Sequence, residues 1–292
     1  MKNISIKRIH NFASNLLKLK YTPRPRYEAR LLLSKVLKKD LLTILIDKKF
    51  LLSQKQKKKF LKNIYSRFNG KPISRICGFK EFYSRNFFIN KFTLDPRPDS
   101  EIMIDKIKKL KLNTKNHELR ILDLGTGSGC LLITITLELE MISNRKISGL
   151  GIDLSFEALK VAKKNVEKYR LQNKIKLLKS NWFDKVSEKF DLIISNPPYI
   201  PFDQIQGLEI EVKNYDPILA LNGGKCGLFH YAEIAKNAKD YLDESGYLCI
   251  EIYSAHYEKI RSIFFAEGFF QKDVFKDLSG QIRNIVFGIK KK

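Results

Sequence analysis

The sequence is poor in the residues that build metal sites, disulfide frameworks and membrane spans. Its four cysteines form no C-x-x-C pair and lie far apart, and its four histidines are equally scattered. This spacing argues against a dense disulfide framework or a structural zinc site, so we predict reduced thiols and no metal. No apolar run approaches the roughly 18 to 20 residues of a membrane span. The start, MKNISIKRIHNF, has no apolar core resembling a signal peptide. We therefore expect a soluble, cytoplasmic protein with no membrane partner.

Acidic residues are scarce, and the resulting positive charge is concentrated at one end of the chain. The 292 residues carry a net charge of +24, and residues 1–70 hold 19 Lys or Arg against Glu28, Asp40 and Asp47. This local net charge of +16 favours an acidic protein or a nucleic acid as partner. A general lysine bias of the chain explains the same charge through solvated helix faces. The sequence leaves both explanations open.

The chain is long enough for one sizeable domain and a smaller one, and 43% of its residues are hydrophobic. Apolar residues at helical spacing over 4–20, 26–39 and 53–69 predict a small helical bundle, with Ser53 and Gln56 as a capping box. The aromatic-rich stretch from Gly78 to Leu94 predicts a hairpin. We therefore divide the chain into a helical domain (1–72), a β-hairpin linker (73–97) and an α/β domain (98–292).

The third region alternates strands and helices. A helix is predicted over 100–111, strands near 119–124, 147–152, 174–179, 190–195 and 246–252, and helices near 130–141, 155–170, 227–242 and 255–267. Two final runs, 269–276 and 282–289, predict a closing antiparallel pair. Such alternation predicts an α/β fold with a mostly parallel sheet and helices on both faces. Ligands of such sheets bind beyond the carboxyl ends of the strands.

The first two predicted strand ends carry ligand-binding residue types. The first continues into Gly125-Thr126-Gly127-Ser128-Gly129, whose glycines let the backbone approach a ligand closely. The dinucleotide fingerprint would need glycine at Cys130 and is absent. The second strand ends in Asp153, whose carboxylate can accept hydrogen bonds from both hydroxyls of a ribose. An N-cap of the following helix is an equally good explanation of Asp153.

The next two strand ends extend this pattern. The third is followed by Trp182, the chain's one tryptophan, which suits either an adenine ring or internal packing. The fourth, the apolar run Leu192–Ile194, leads into Asn196-Pro197-Pro198-Tyr199, where proline ends strand pairing. A rigid turn would explain the prolines alone. Four such sites in order, each at a strand end, favour a nucleoside-binding crevice.

The order of these motifs resembles a known class of enzymes. D-L-G-x-G-x-G, an acidic residue and then N-P-P-Y are similar to the seven-stranded S-adenosylmethionine-dependent methyltransferases that methylate planar nitrogens. The segment Leu94-Asp-Pro-Arg-Pro-Asp-Ser-Glu101, after the hairpin and helical unit, resembles the release factor glutamine methyltransferase family more specifically. The loop from Tyr215-Asp-Pro217 to Gly227-Leu228 is also similar to that family. Four positions depart from the family's usual residues: Arg30, Asp95, Asn181 and Tyr253.

The resemblance implies a fold, a cofactor and a substrate. It implies a Rossmann-like class I methyltransferase that transfers a methyl group from S-adenosylmethionine to N5 of the glutamine in the Gly-Gly-Gln loop of class 1 peptide chain release factors, which tunes translation termination. The expected cofactor-binding residues are Gly125, Thr126, Gly127, Ser128, Gly129, Asp153, Trp182 and Asn196. The expected substrate-binding residues are Asn196, Pro197, Pro198 and Tyr199, of which Asn196, Pro197 and Tyr199 are the expected catalytic residues.

The N-P-P-Y tip also suggests a mechanism. The hypothesis is that the Asn196 side-chain oxygen and the Pro197 carbonyl accept the two N–H groups of the acceptor, while Tyr199 packs on its planar group. Neutral Asn196 avoids the ion pair that a carboxylate would form with the sulfonium.

Two other functions remain open at this stage. N-P-P-Y also resembles DNA adenine-N6 and some RNA methyltransferases, so nucleic acid is neither required nor excluded as a partner. A non-catalytic nucleic-acid-binding module with a vestigial crevice is the third possibility, although both the cofactor and the acceptor motifs are complete.

Overall fold

The computed structural model describes residues 4–20, 22–47, 49–110, 112 and 118–289. These residues form two compact units. The first comprises the residues up to Gly78 together with Glu209–Tyr215, and the second comprises Phe79–Leu208 and the residues from Asp216 onward. None of the described helices combines the length and the hydrophobicity that crossing a membrane requires.

The first unit is a small helical bundle with a short strand pair. Its elements are β1 (Ile4–Ser5), α1 (Ile6–Lys18), α2 (Pro25–Leu37), α3 (Leu41–Ile46), β2 (Leu51–Leu52), α4 (Gln54–Phe68), α5 (Ile73–Cys77) and α9 (Ile210–Lys213). The predicted capping box is present: Ser53 Oγ accepts the N–H of Gln56, and Gln56 Oε1 accepts the N–H of Ser53. Helix α3 and the β1–β2 pair were not predicted, because six and two residues are too short to show a period.

A buried arginine joins the distant segment of the first unit to its bundle. The Arg67 guanidinium, 8% exposed, lies 2.6 Å from Glu28 Oε2 and 2.5 Å from Glu211 Oε1, whose side chain is 43% exposed. A buried charge needs a partner, and Arg67 finds one partner in the bundle and one in residues 209–215.

The second unit is built on a seven-stranded sheet. Its elements are β3 (Phe79–Phe82), β4 (Arg85–Phe88), α6 (Glu101–Ile107), β5 (Glu118–Leu124), α7 (Cys130–Ile142), β6 (Lys146–Asp153), α8 (Phe156–Lys168), β7 (Ile175–Lys179), β8 (Phe190–Ser195), α10 (Phe229–Tyr241), β9 (Leu242–Glu251), α11 (Tyr257–Ala266), β10 (Phe269–Lys276) and β11 (Ile282–Ile289). The strand order is β10-β11-β9-β8-β5-β6-β7, with β11 antiparallel to both neighbours and the other pairs parallel. This confirms the predicted α/β fold and its closing antiparallel pair.

The central strands bury side chains on both faces. Ile121 and Leu192 belong to the core shared with α6, α7 and α8, whereas Leu122 and Ile193 belong to the core shared with α10 and α11. Successive strand residues point to opposite faces, so a strand covered on both sides must be apolar throughout, as β8 is. The order of strands reverses between β5 and β8, which places a ligand crevice at their carboxyl ends.

The hairpin formed by β3 and β4 contacts helix α8 within the second unit. Its two-residue turn has φ of 50° at Tyr83 and 56° at Ser84, the left-handed conformation that two-residue hairpin turns require. The buried Asn165 of α8 accepts the Phe88 N–H at 2.8 Å and donates to the carbonyls of Phe88 and Ser128. The hairpin therefore supports the glycine-rich turn. Residues 73–77, which the sequence assigned to the hairpin linker, form helix α5 instead. The helix ends at Gly78, whose left-handed conformation (φ 77°) caps it.

The predicted helix over 100–111 is shorter in the structure. A 3₁₀ turn over Pro98–Ser100 precedes α6, which ends at Ile107. Residue 111 lies outside the described residues.

Candidate active site

The turn between β5 and α7 is held open by three glycines. Gly125, Gly127 and Gly129 have φ values of 75°, 57° and 79°, which favour glycine. A Cβ on Gly125 or Gly127 would meet no atom closer than 3.9 Å, which is ordinary van der Waals contact, so it is the φ value and not crowding that favours glycine there. A Cβ on Gly129 would lie 3.2 Å from Ile133, so this glycine permits close helix packing instead.

Asp123 fixes the base of this turn. The Thr126 hydroxyl donates to Asp123 Oδ2 at 2.6 Å, and the Thr126 N–H donates to the Ile152 carbonyl at 2.8 Å. Burial raises the pKa of Asp123 to about 7. These contacts clamp the start of the turn between β5 and β6.

Asp153, at the end of β6, binds backbone at two points. Its Oδ2 accepts the Gly127 N–H at 2.9 Å and its Oδ1 accepts the Ser155 N–H at 2.8 Å. Ser155, not Asp153, is the N-cap of α8, because its hydroxyl accepts the Ala158 N–H. Burial raises the pKa of Asp153, and the two hydrogen bonds oppose that rise. Each carboxylate oxygen has a second lone pair, so Asp153 can also accept ligand hydroxyls.

Trp182 lies beside a residue that the sequence did not indicate. Its ring centroid is 5.3 Å from that of His230, and Trp182 has φ of 45°. His230 Nε2 lies 3.1 Å from the Asn222 carbonyl, and burial lowers the pKa of the imidazole, which favours its neutral form. Sequence patterns missed His230 because it lies far along the chain from the other motifs, in a helix with an unremarkable pattern.

The Asn196-Pro-Pro-Tyr199 tip follows β8. The Asn196 side-chain nitrogen donates to Ser100 Oγ at 3.2 Å. The Tyr199 ring stacks on Tyr253 with centroids 6.2 Å apart and planes 8° apart. Burial raises the pKa of Tyr199 to about 12. The contact of Tyr199 with an acceptor group stays a prediction.

Two motifs that are distant in the sequence meet beside this tip. An Arg97 nitrogen lies 2.5 Å from Asp216 Oδ2, and Asp216 Oδ1 accepts the Asp95 N–H at 3.3 Å. The L-D-P-R-P segment and the Y-D-P segment are thereby joined by a charge-assisted contact.

An open cavity collects these strand ends. It encloses about 1070 Å³ of empty space, part of which is continuous with solvent. The predicted site residues that line it are Gly125, Thr126, Gly127, Ser128, Asp153, Trp182, Asn196 and Pro198. Gly129, Pro197 and Tyr199 are not among its lining residues. Arg97, Ser100 and His230 line it as well.

The glycines that follow N-P-P-Y pack on its backbone. A Cβ on Gly223 would lie 2.7 Å from the Tyr199 backbone, and one on Gly227 (φ 73°) would lie 2.3 Å from the Tyr199 carbonyl oxygen. The Gly223 N–H also donates to the Ile200 carbonyl at 2.8 Å. This loop therefore acts as a backing for the tip.

Gly227→Ala should displace that backing. The left-handed conformation and the overlap with the Tyr199 carbonyl together cost at least about 2 kcal/mol of folding free energy. We expect a lower Tm, and a kcat reduced by at least about tenfold if the tip moves. Gly207→Ala is the matched control, because a Cβ there meets nothing within 4 Å. Equal Tm and kcat in the two variants would contradict the backing role.

The described residues contain no group of three or more His, Cys, Asp or Glu that could hold a metal ion.

Two family models match the chain. The model described as the PrmC N-terminal domain matches residues 9–78, and the model described as the methyltransferase small domain matches residues 98–211.

Known proteins similar to the chain include release factor glutamine methyltransferases and bifunctional methyltransferases. It is 41% identical to the release factor glutamine methyltransferase of Buchnera aphidicola subsp. Schizaphis graminum, over 94% of this chain and 96% of that protein. It is 38% identical to the bifunctional methyltransferase of Rickettsia typhi, over 96% of this chain but 57% of that protein. The chain thus spans little more than half the length of the bifunctional relatives.

A solved structure shares the fold at low identity. The catalytic domain of hMettl16, in complex with the MAT2A 3'UTR hairpin 6, aligns with a TM-score of 0.56 at 14% identity, covering 84% of this chain and 86% of that one. At this identity the likeness concerns the fold alone.

Proposed function

Because the chain belongs to the release factor glutamine methyltransferase family, we propose that it transfers a methyl group from S-adenosylmethionine to N5 of the glutamine in the Gly-Gly-Gln loop of class 1 peptide chain release factors. The observation that carries this proposal is that Asn196 lines the same cavity as the glycine-rich turn and Asp153. We place the activity in the cytoplasm, where translation terminates.

The residues of the cavity fit the cofactor. Gly125 and Gly127 line the cavity, where a side chain would intrude on a ligand. Asp153 has acceptor capacity left for the two ribose hydroxyls, and the ring of Trp182, which also lines the cavity, offers a flat surface for adenine. When bound, S-adenosylmethionine supplies a methyl group carried on a positively charged sulfur.

Asn196 and Pro197 supply the chemistry at the acceptor nitrogen. An amide nitrogen is a poor nucleophile because its lone pair is delocalised into the carbonyl group. In our proposal Asn196 Oδ1 and the Pro197 carbonyl accept its two N–H groups and so orient the lone pair. The nitrogen gains the methyl group and releases one proton to water, so the product amide is neutral.

Positioning is the larger contribution to this reaction. Holding two reacting groups in the correct geometry lowers the barrier by roughly 7–11 kcal/mol. A general base raises the rate about 10²–10⁴-fold, which corresponds to about 3–5 kcal/mol. The methyl donor is activated by its own charge. A base is therefore unnecessary, and the site needs chiefly to hold and orient the NH₂ group.

A substrate assay tests the proposed function. The full chain is incubated with labelled S-adenosylmethionine and a purified class 1 release factor, and with a release factor whose Gly-Gly-Gln glutamine is replaced by alanine. We expect label in the first and none in the second. In a parallel incubation with cell extract, label removed by nuclease and not by protease would overturn the proposal in favour of nucleic-acid methylation.

The basic stripe of α4 gives a prediction for substrate recognition. Lys55, Lys58, Lys59 and Lys62 are exposed at the i, i+3, i+4 and i+7 spacing of one helix face. We propose that the helical unit recognises the release factor, partly through this stripe. Changing the four lysines to glutamate should raise the KM for the release factor about tenfold at low salt and less at high salt, with the cofactor Kd unchanged.

The matched control changes three lysines of the second unit to glutamate. Lys163, Lys164 and Lys176 are also exposed but lie on the second unit. If both sets of variants leave the KM unchanged, the excess of lysine reflects a general bias in composition.

A further inference from the structure

A chain of hydrogen bonds runs from a buried carboxylate to Asn196. Ser100 Oγ donates to Glu251 Oε2 at 2.5 Å, and the Asn196 side-chain nitrogen donates to Ser100 Oγ at 3.2 Å. Glu251 is 3% exposed and Ser100 4%. Neither side chain contributes to the core, so their burial needs another explanation.

The ionised carboxylate sets the direction of every bond in this chain. A carboxylate only accepts hydrogen bonds, so the Ser100 hydroxyl must donate to it. Having donated its one proton, Ser100 Oγ can only accept from Asn196. The NH₂ end of the Asn196 amide is therefore committed to Ser100. Its oxygen, Oδ1, is the atom left to face a ligand in the cavity that Asn196 lines.

We propose that Glu251 and Ser100 are positioning residues, which hold the Asn196 amide in the orientation that presents its oxygen to the acceptor NH₂ group. If the Asn196 amide were flipped, its NH₂ group would face the NH₂ group of the methylation substrate. Two donors would then meet, and no hydrogen bond would form. The inference rests on the proposed function and applies to any acceptor with a planar NH₂ group.

The backbone around Glu251 is anchored. The Tyr231 hydroxyl, fully buried, donates to the Glu251 carbonyl at 3.0 Å, and the Ile252 N–H donates to the Arg283 carbonyl at 2.7 Å. Ser100 closes the 3₁₀ turn that begins at Pro98. The two residues that act on the Asn196 amide thus come from the end of β9 and from the turn that leads into α6.

The ionisation of Glu251 adds a pH dependence. Burial raises its pKa to about 7, Asp99 adds to that rise, and Arg283 with the Ser100 and Asn196 hydrogen bonds opposes it. Three other titratable groups face Glu251, and burial raises the pKa of each, which keeps them neutral at neutral pH: Tyr199, Tyr231 and Cys249. Protonated Glu251 can donate to Ser100, which then can donate to Asn196 Oδ1 and reverse the chain. We expect kcat to fall as pH falls through about 7.

Glu251→Gln tests the inference with an isosteric change. A glutamine amide both donates and accepts, so it no longer sets the direction of the chain. We expect kcat for release factor methylation to fall at least about tenfold, with the cofactor Kd within about threefold and Tm equal or higher, since a buried charge is removed. In the wild-type protein, protonation of Glu251 should lower kcat as the pH falls from about 8.5 to about 5.5. In Glu251→Gln this decrease should be absent. Ser100→Ala should also lower kcat, and Ser100→Thr, which keeps the hydroxyl, should restore it.

Glu138→Gln is the matched control. Glu138 is also buried, but it pairs with Arg85 at 2.7 Å and with Lys108, away from the cavity-lining residues. We expect it to lower Tm and leave kcat unchanged. Wild-type kcat in Glu251→Gln, or a kcat that falls only in proportion to Tm, would overturn the inference. Absence of methylation by the wild-type protein would instead overturn the proposed function, so the two failures are distinguishable.

Discussion

Replacing Asn196 with alanine should reduce turnover by at least about 10²-fold, because an acceptor amide that is no longer oriented loses most of the advantage of its position. The cofactor Kd should stay within about threefold, since in our proposal Asp153 and the glycine-rich turn supply the main contacts of the cofactor. Single-turnover methylation at saturating release factor measures the first quantity, and calorimetry with S-adenosylmethionine measures the second.

Two further variants sharpen this test. Asn196→Asp keeps the shape but places a carboxylate where Asn196 now donates to Ser100, the residue that also binds Glu251, and two carboxylates that share a site disfavour each other's ionised form. We expect it to be nearly as inactive as Asn196→Ala. Asn237→Ala is the control, because that amide donates to the Glu233 carbonyl within α10 and does not line the cavity. Near-normal turnover in Asn196→Ala would refute the role of the tip.

The strand ends of the site could be predicted because each is marked locally. An apolar run such as Leu192–Ile194 indicates a strand buried on both faces, and the glycines after Leu124 or the prolines after Asn196 show where it stops. Since parallel strands end at one edge of a sheet, residues at these ends were expected to meet, and the structure brings Gly125, Asp153, Trp182 and Asn196 to one cavity.

Long-range partners could not be predicted from local patterns. Ser100 was interpreted as part of a helix start and Glu251 as the end of a strand. The two residues are 151 positions apart in the sequence, and the residues next to them do not indicate that the fold brings them into contact. The available signal was the carboxylate of Glu251 in the otherwise apolar strand predicted over 246–252, because burying a charge without a partner is costly. The short helix α3 was missed for a different reason, since six residues hold less than two turns.

The structure removes one of the two explanations of Asp153. The sequence allowed either an N-cap or a ribose-binding role, and Ser155 is the cap of α8. Asp153 instead accepts the N–H of Gly127 in the glycine-rich turn, and it lines the cavity. Its ribose-binding role remains a prediction with a large expected effect.

Asp153→Ala should weaken cofactor binding by about 1–3 kcal/mol through lost charge-assisted hydrogen bonds. The N–H groups of Gly127 and Ser155 also lose their acceptor, which loosens the turn. The ribose hydroxyls of S-adenosylmethionine and S-adenosylhomocysteine are the same, so calorimetry should show equal losses for both ligands. A larger loss for the charged methyl donor would point to an interaction with the sulfonium instead. At saturating cofactor, kcat should remain within about threefold of wild type.

The stability of the same variant separates the ribose role from a purely structural one. Asp40→Ala is the control, because the Asp40 carboxylate accepts the Thr43 N–H at the start of α3, in the other unit. Loss of an N-cap costs about 0.5–2 kcal/mol of stability and should leave the cofactor Kd unchanged. If Asp153→Ala behaves like Asp40→Ala, with a lower Tm and unchanged affinity for both ligands, then Asp153 serves only the backbone of the turn, and the ribose must be bound by other groups of the cavity.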